Sequence, residues 1–524
     1  MPAKAVLYIF LPCKKVYPLG LTYLASFLHQ RHPEAPQRIL DLSLIPPAKR
    51  QTALLETIAS FRPDIIAFSW RDIQLFAPHE GDGSLQYAFD FYYSLNPIRK
   101  GIAAIQGLRS LYLYYNNLRE HLGYFHLVRK KHPNLQVVVG GGAFSVFSKE
   151  IIRRLPEGVV GIIGEGEDAL LNIYEDHSIM KDRCIFRKGD EIISGVQGAP
   201  VMLDSAVQDP SYIASIFPQA MEYKDAAIGI QTKRGCPYDC QFCLYTYIEG
   251  KRVYTRPAKN IVDEMQAYYD QWGVRRFWFS DAQWIPGSKF YPHCTETLER
   301  IIASGMKIEW GGYIRTSLIT KDLARLMVAS GLGDTEVAIT SGSQEVLNGL
   351  KMGFTLDKLY EGCHYLKEAG FQGRVILNYS LNAPGETEAS LLESIASYKK
   401  IVSILGEDKV YPALFFLGIQ PNTGLSERLI EDGYLPENYD PLSMNPLMIK
   451  KLLYNPPPFG KMITKACLKA WKEKAAPLLD PMKKHSETRY ADDSIANVFE
   501  GNTGRAALLN LESELAARGF AHES

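Results

Sequence analysis

Over the first 175 or so residues, short apolar runs alternate with stretches of helical periodicity. Segments 6–10, 64–69, 135–139 and 159–163 are brief β-branched or aromatic runs bounded by turn formers, and they read as buried strands. Segment 19–29 carries an amphipathic helical pattern. This alternation predicts an α/β domain built on a doubly wound parallel sheet. Two of the strands run directly into glycine: 135–139 into Gly140-Gly141-Gly142, and 159–163 into Gly164-Glu165-Gly166-Glu167. Ligands of open parallel sheets bind beyond the carboxyl ends of the strands, which is where these glycines fall.

The pattern then changes twice. A tyrosine-rich insertion at about 80–130 includes Tyr87, Tyr92, Tyr93, Tyr112, Tyr114 and Tyr115, with helical spacing around 108–118, and its aromatics are expected to pack it onto the sheet. His79, among the turn formers Pro78-His79-Glu80-Gly81-Asp82-Gly83, reads as a solvated loop histidine, with a substrate or metal contact as the alternative. From 176 to 224 the periodicity weakens and Gly, Pro and Asp intersperse, as in a linker. A second alternation occupies 225–435, with strands expected at 226–232, 276–280, 307–313, 335–339, 374–381 and 410–418 and helices between them. Six βα steps with right-handed crossovers predict a partial (β/α) barrel. The remainder, 436–524, is mostly helical and polar.

Composition narrows the function. The 524 residues carry 58 basic and 58 acidic side chains, and a net charge of zero argues against a general nucleic-acid or acidic-membrane binder. The 46% hydrophobic content is that of a globular protein, and eight cysteines are too few for a disulfide scaffold. No apolar run reaches the roughly 20 residues of a membrane span, so a cytoplasmic location with reduced thiols is expected.

The cysteines are unevenly placed. Cys13, Cys184, Cys294, Cys363 and Cys467 are scattered, whereas Cys236, Cys240 and Cys243 share one short segment just after the first strand of the second module. Three soft thiolates at CxxxCxxC spacing suit an iron-sulfur cluster, and three ligands for four irons leave one iron open. A structural zinc site would need a fourth ligand, and the next Cys or His after the motif is His293 or Cys294.

With Phe242 before the last cysteine, this segment resembles the radical S-adenosylmethionine (SAM) superfamily over about 220–430. The resemblance implies a [4Fe-4S] cluster on Cys236, Cys240 and Cys243 whose open iron chelates SAM, and reductive cleavage of SAM to a 5′-deoxyadenosyl radical. It also implies SAM contacts from Phe242, from Asp281 at the end of the second strand, from Arg315 after the third, from Ser341 and Ser343 after the fourth, and from Asn378 on the fifth. Pro384-Gly385-Glu386-Thr387 ends that fifth strand. Thr340 stands where relatives carry a glutamate.

The amino-terminal segments Pro18-Leu19-Gly20-Leu21, 137–142 and 164–167 resemble the Rossmann-like module of cobalamin-binding radical SAM enzymes. That resemblance implies a cobalamin site at Gly140, Gly141, Gly142, Gly164 and Glu165. The Asp-x-His-x-x-Gly motif of many such modules is replaced here by Leu11-Pro12-Cys13-Lys14-Lys15, so cobalamin is expected without a lower histidine ligand. The implied activity is methylation of an unactivated carbon of a small-molecule substrate, with electrons from a donor such as flavodoxin or ferredoxin. The alternative is a radical SAM cyclase, oxidase or mutase whose first domain is vestigial or substrate-binding.

Overall fold

A computed structural model describes residues 3–13, 15–71, 87, 90, 91, 94–180, 182–195, 207–478 and 501–520. Its first sheet has seven strands: β1 (Val6–Phe10), β2 (Gln37–Asp41), β3 (Ile65–Ser69), β4 (Gln136–Gly140), β5 (Val159–Ile162), β6 (Cys184–Lys188) and β7 (Glu191–Ser194). Their order is β2-β1-β3-β4-β5-β6-β7, parallel through β5. Alternate side chains of β1 enter two different cores: Val6, Tyr8 and Phe10 one, Leu7 and Ile9 the other. Burial on both faces is why such strands appear as unbroken apolar runs.

Two parts of this sheet differ from the sequence expectation. β2 reads Gln-Arg-Ile-Leu-Asp and lies at the sheet edge, where polar residues are tolerated and the apolar signal is diluted. β6 and β7 form an antiparallel hairpin on β5 inside the stretch expected to be a linker. Their two-residue connection, Gly189-Asp190, with Gly189 at φ +60°, is a hairpin turn between strands too short to stand out.

Between β3 and β4 the chain forms a 35-residue helix, Pro97–Lys131, capped by the Asn96 side chain accepting from the Ile98 and Arg99 N–H groups. Tyr124, Phe125 and Val128 are its buried face, whereas Tyr112 and Tyr115 are exposed. Tyr112 and Tyr115 therefore do not pack the insertion onto the sheet as expected, Tyr87 and Tyr114 are half-buried, and Tyr92 and Tyr93 lie outside the described residues. His79 lies outside the described residues.

The second module has six parallel strands: Ile228–Ile230, Arg276–Phe279, Glu309–Gly312, Thr335–Thr340, Val375–Ser380 and Val410–Phe415; five lie inside their expected ranges and the fourth runs one residue past its own, to Thr340. They pair as two three-stranded halves, joined by single bridges from Trp310 to Leu332 and from Tyr313 to Glu336. Helices between successive strands bury Ile261, Leu298, Leu323, Leu366 and Ile395 in one core with the strands' outward residues. Helices Gly460–Leu478 and Gly501–Ala516 pack on each other, and the second lies against the sixth strand.

The two modules share a buried seam. Tyr17 and Tyr268 hydroxyls meet at 2.8 Å, and Tyr23 donates to Glu264 at 2.7 Å. Arg256 closes on the same carboxylate at 2.7 Å with both partners essentially inaccessible. Among the described residues, no helix is long and apolar enough to cross a membrane.

Candidate active site at the cysteine loop

The first barrel strand delivers the chain to the cysteine loop, and buried charges hold that loop's entry. Asp281, at the end of the second strand, accepts from the N–H groups of Thr232 (2.8 Å) and Lys233 (3.1 Å) and from the Thr232 hydroxyl. Its carboxylate is fully buried, and burial pushes its pKa up against the pull of Lys233 and these hydrogen bonds. Lys233 Nζ donates to the Gly235 carbonyl at 2.8 Å, and Gly235 N–H donates to Glu249 at 3.0 Å. Gly235 has φ +85°, and a Cβ there would lie 2.0 Å from the Arg252 carbonyl oxygen. Only glycine fits that turn.

Beyond this bracket, Cys236 N–H donates to the Gly250 carbonyl, Gln241 N–H to Leu350 and Cys243 N–H to Cys240, each at 3.0 Å. All three thiols are free, Cys236 buried and the others half-buried. Burial pushes the Cys243 thiol up to about 12 and raises Cys240, so a coordinating cation is what would ionise them. Among the described residues, no three Cys, His, Asp or Glu side chains converge as ligands of a single ion. Three soft donors spread along one loop suit the face of a cluster better than one tetrahedral zinc.

Arg315 reaches this loop from the end of the third strand. Its guanidinium stacks 3.6 Å from the Tyr238 ring, donates to the Met352 carbonyl at 2.5 Å, and places Nη2 3.9 Å from Cys240 Sγ. Phe242, like Cys240, packs against the cluster that holds Val346 and Leu347.

The fourth and fifth strands carry a different kind of polar surface. Thr340 ends the fourth strand at φ +67°, a strained backbone for a β-branched residue, beside a register shift between Val337 and Thr340. Thr340 Oγ1, Asn378 Oδ1 and Ser380 Oγ are buried without a hydrogen-bond partner, while the Asn378 amide donates to Glu336 at 3.0 Å. The next segment is clamped. Ser341 Oγ donates to Glu386 at 3.0 Å, Gly342 N–H donates to Ser394 Oγ at 2.8 Å, and Ser343 N–H donates to Ser341 Oγ at 3.2 Å. Burial pushes Glu386 up to about 7, against hydrogen bonds from Ser341 and Ser390.

A cavity of about 730 Å³ opens where the ends of β1, β3, β4 and β5 face the first two barrel strands. Gly140, Gly141, Gly142, Gly164 and Glu165 line it from one side, and Gln231, Arg276, Trp278 and Ser280 from the other. The glycines divide by cause. Gly141, at φ +98°, would drive a Cβ to 2.6 Å from the Trp70 carbonyl oxygen, and Gly164, at φ +80°, to 2.7 Å from that of Ile248. Packing demands both. At Gly140 the nearest atom to such a Cβ is 3.7 Å away, so packing leaves room there and the missing side chain leaves the cavity open. Among the described residues, no histidine lines it.

Cavity and cysteine loop touch. Arg183 donates to the carbonyls of Ile248 and Tyr247, each at 2.8 Å, on the helix Tyr245–Ile248 that follows Cys243. Arg234, two residues before Cys236, pairs with Glu167 and, at 3.4 Å, with Glu165; Arg234 and Glu167 are both nearly inaccessible. The motif reading did not single out Glu249, Arg234 or the pairing of Glu167. Their partners lie 14 to 67 positions away, and nothing local marks them.

Residues 230–397 match the family model of the radical SAM superfamily, and the chain carries a radical SAM domain there. Over most of the chain, the fold is shared with two radical SAM enzymes solved with cobalamin bound. The radical SAM methyltransferase TsrM from Kitasatospora setae, with cobalamin and a [4Fe-4S] cluster bound, aligns at TM-score 0.63 and 18% identity over 82% of this chain and 78% of that one. OxsB with aqua-cobalamin bound aligns at TM-score 0.64 and 13% identity over 90% and 67%. Among curated proteins, the anaerobic magnesium-protoporphyrin IX monomethyl ester cyclase of Cereibacter sphaeroides is 28% identical over 45% of this chain and 40% of its own length. An uncharacterized methyltransferase of Pyrococcus horikoshii is 21% identical over 73% of each chain. The chain thus matches less than half of the cyclase's length, and 61% of a putative methylthiotransferase from Methanocaldococcus jannaschii.

Proposed function

We propose that the protein is a cobalamin-dependent radical SAM enzyme that methylates an unactivated carbon of a small molecule. The observation that carries this reading is the position of the cavity: glycine-ended strands form it, and it lies directly against the helix that follows the three cysteines. The residues present fit the groups the reading requires. Cys236, Cys240 and Cys243 would hold a [4Fe-4S] cluster with one iron left for SAM. Gly140 and Gly142 would let the sheet's backbone approach a flat cobalamin macrocycle. When bound, these groups supply reductive cleavage of SAM to a 5′-deoxyadenosyl radical and a methyl donor for the resulting substrate radical.

The chain's own residues then have distinct tasks. Asp281, Lys233 and Glu249 shape the cysteine loop, and Asp281 serves SAM through that loop instead of by contact. Thr340, Asn378 and Ser380 offer polar atoms to a ligand on the barrel's inner side, and Glu386 holds Ser341 and Ser343 in place beside them. Phe242 covers the motif against the Val346 cluster and excludes water. A small acidic reductant of the flavodoxin or ferredoxin type would supply the electron.

The test is reductive SAM cleavage under anaerobic conditions. Wild type with a reconstituted cluster should release 5′-deoxyadenosine. Cys240→Ala should reduce that release at least a hundredfold while keeping its helical circular dichroism. Equal release from the variant would refute the cluster assignment.

A further inference from the structure

By the family resemblance, Arg315 would pair with the carboxylate of SAM or with a substrate acid. The geometry directs it elsewhere. Three features fix the guanidinium on the cysteine loop: the Tyr238 ring 3.6 Å beneath it, the Met352 carbonyl accepting from Nη1, and the Cys240 sulfur 3.9 Å from Nη2. The Phe354 ring, 5.3 Å away, closes another side. Tyr238 lies between Cys236 and Cys240 in the chain, so the stack ties the cation to the backbone that carries two of the thiols. An arginine held by stacking and two-point donation has little freedom to swing toward a second ligand.

The charged residue inside the motif differs in kind. Asp239 pairs with Lys251 at 2.8 Å, but both are more than half exposed, where water and salt screen them. Arg315 is half-buried and touches sulfur directly. Reduction adds one negative charge to a cluster whose three ligands are already thiolates. A fixed cation donating an N–H to one ligand sulfur favours the reduced state over the oxidised one, because cluster potentials follow net charge and hydrogen bonds to sulfur.

We propose that Arg315 is a positioning residue of the cluster, raising its reduction potential through a charged N–H contact to Cys240 sulfur rather than anchoring the SAM carboxylate. The inference rests on the radical SAM reading above and specifies how this chain makes its reductant's task easier. A donor of given potential reduces more of the enzyme when the contact is present.

The experiment is an EPR-monitored redox titration of anaerobically reconstituted wild type, Arg315→Gln and Arg315→Lys, with iron content and SAM binding measured on the same samples. Four irons per chain are expected in all three. In Arg315→Gln the reduced-to-oxidised ratio at fixed potential should fall about tenfold, a midpoint about 59 mV more negative for a one-electron couple. Arg315→Lys, which keeps the charge, should fall between the two. SAM affinity should stay within about twofold of wild type. An unshifted potential in Arg315→Gln, with SAM affinity lost tenfold or more, would overturn the proposal and return Arg315 to the SAM carboxylate. Failure of both variants to assemble a cluster that wild type assembles would also overturn it, making Arg315 a scaffold of the loop. Absence of a four-iron cluster in wild type would instead refute the radical SAM reading itself.

Discussion

The ends of the first two barrel strands and the fourth and fifth strands both bury polar groups and treat the key ones differently. At the first, Asp281, Lys233, Glu249 and Arg234 are engaged by backbone groups or counter-charges, and the product is a rigid loop carrying three thiols. At the second, Thr340 Oγ1, Asn378 Oδ1 and Ser380 Oγ have no partner, and Thr340 holds a left-handed backbone. Buried polar atoms are normally paired, and exceptions cluster where a ligand completes them. One region therefore fixes a loop of ligands through paired charges, and the other leaves buried polar atoms open to a ligand.

The most severe way to break this contrast is to unbalance the saturated side. Arg234→Met removes the cation that pairs with the nearly inaccessible Glu167 at the module seam and should cost about 3–5 kcal/mol, read as the shift in chemical denaturation. A loss below about 1 kcal/mol would mean that water reaches this ion cluster. The reverse is expected on the open side. Thr340→Gly removes a strained β-branched residue and an unpaired hydroxyl, and should stabilise the fold by roughly 1 kcal/mol while weakening SAM binding several-fold. Destabilisation there, with SAM binding intact, would place Thr340 among the structural residues.

A smaller effect concerns pH. Burial raises Glu386 from the ordinary carboxyl value to about 7, so the folded state binds its proton more tightly than the unfolded state. The stability this contributes is full below about pH 4.5 and is lost as pH rises through 7. Wild type should therefore lose part of its denaturation midpoint between pH 5 and pH 8, and Glu386→Gln should flatten that slope. An unchanged slope would show that Glu386 titrates normally beneath Ser341.

Several of these features were legible in the sequence and others were not, for physical reasons. The barrel strands were, because each is an apolar run followed by a helix of regular period. The cysteine motif was, because metal spacing is local. β2 and the hairpin of β6 and β7 were not, since edge and antiparallel strands can carry polar residues and so lose the continuous apolar signal. Thr340 was visible as a departure from the residue its relatives carry, but its φ of +67° is a property of the packed barrel. Gly140 and Gly141 look alike in a triple glycine, yet packing requires one and leaves room at the other. The pairing of Arg234 with Glu167 across 67 positions had no local trace.

The central claim is that the cavity beside the cysteine loop is a cobalamin site. It is tested most directly by the corrin absorption of protein purified anaerobically with hydroxocobalamin, in wild type and in Gly140→Leu. Wild type should retain close to one corrin per chain alongside its iron, and the variant should lose the corrin while keeping the iron and the fold. Iron without corrin in wild type, or equal corrin in both, would contradict the account.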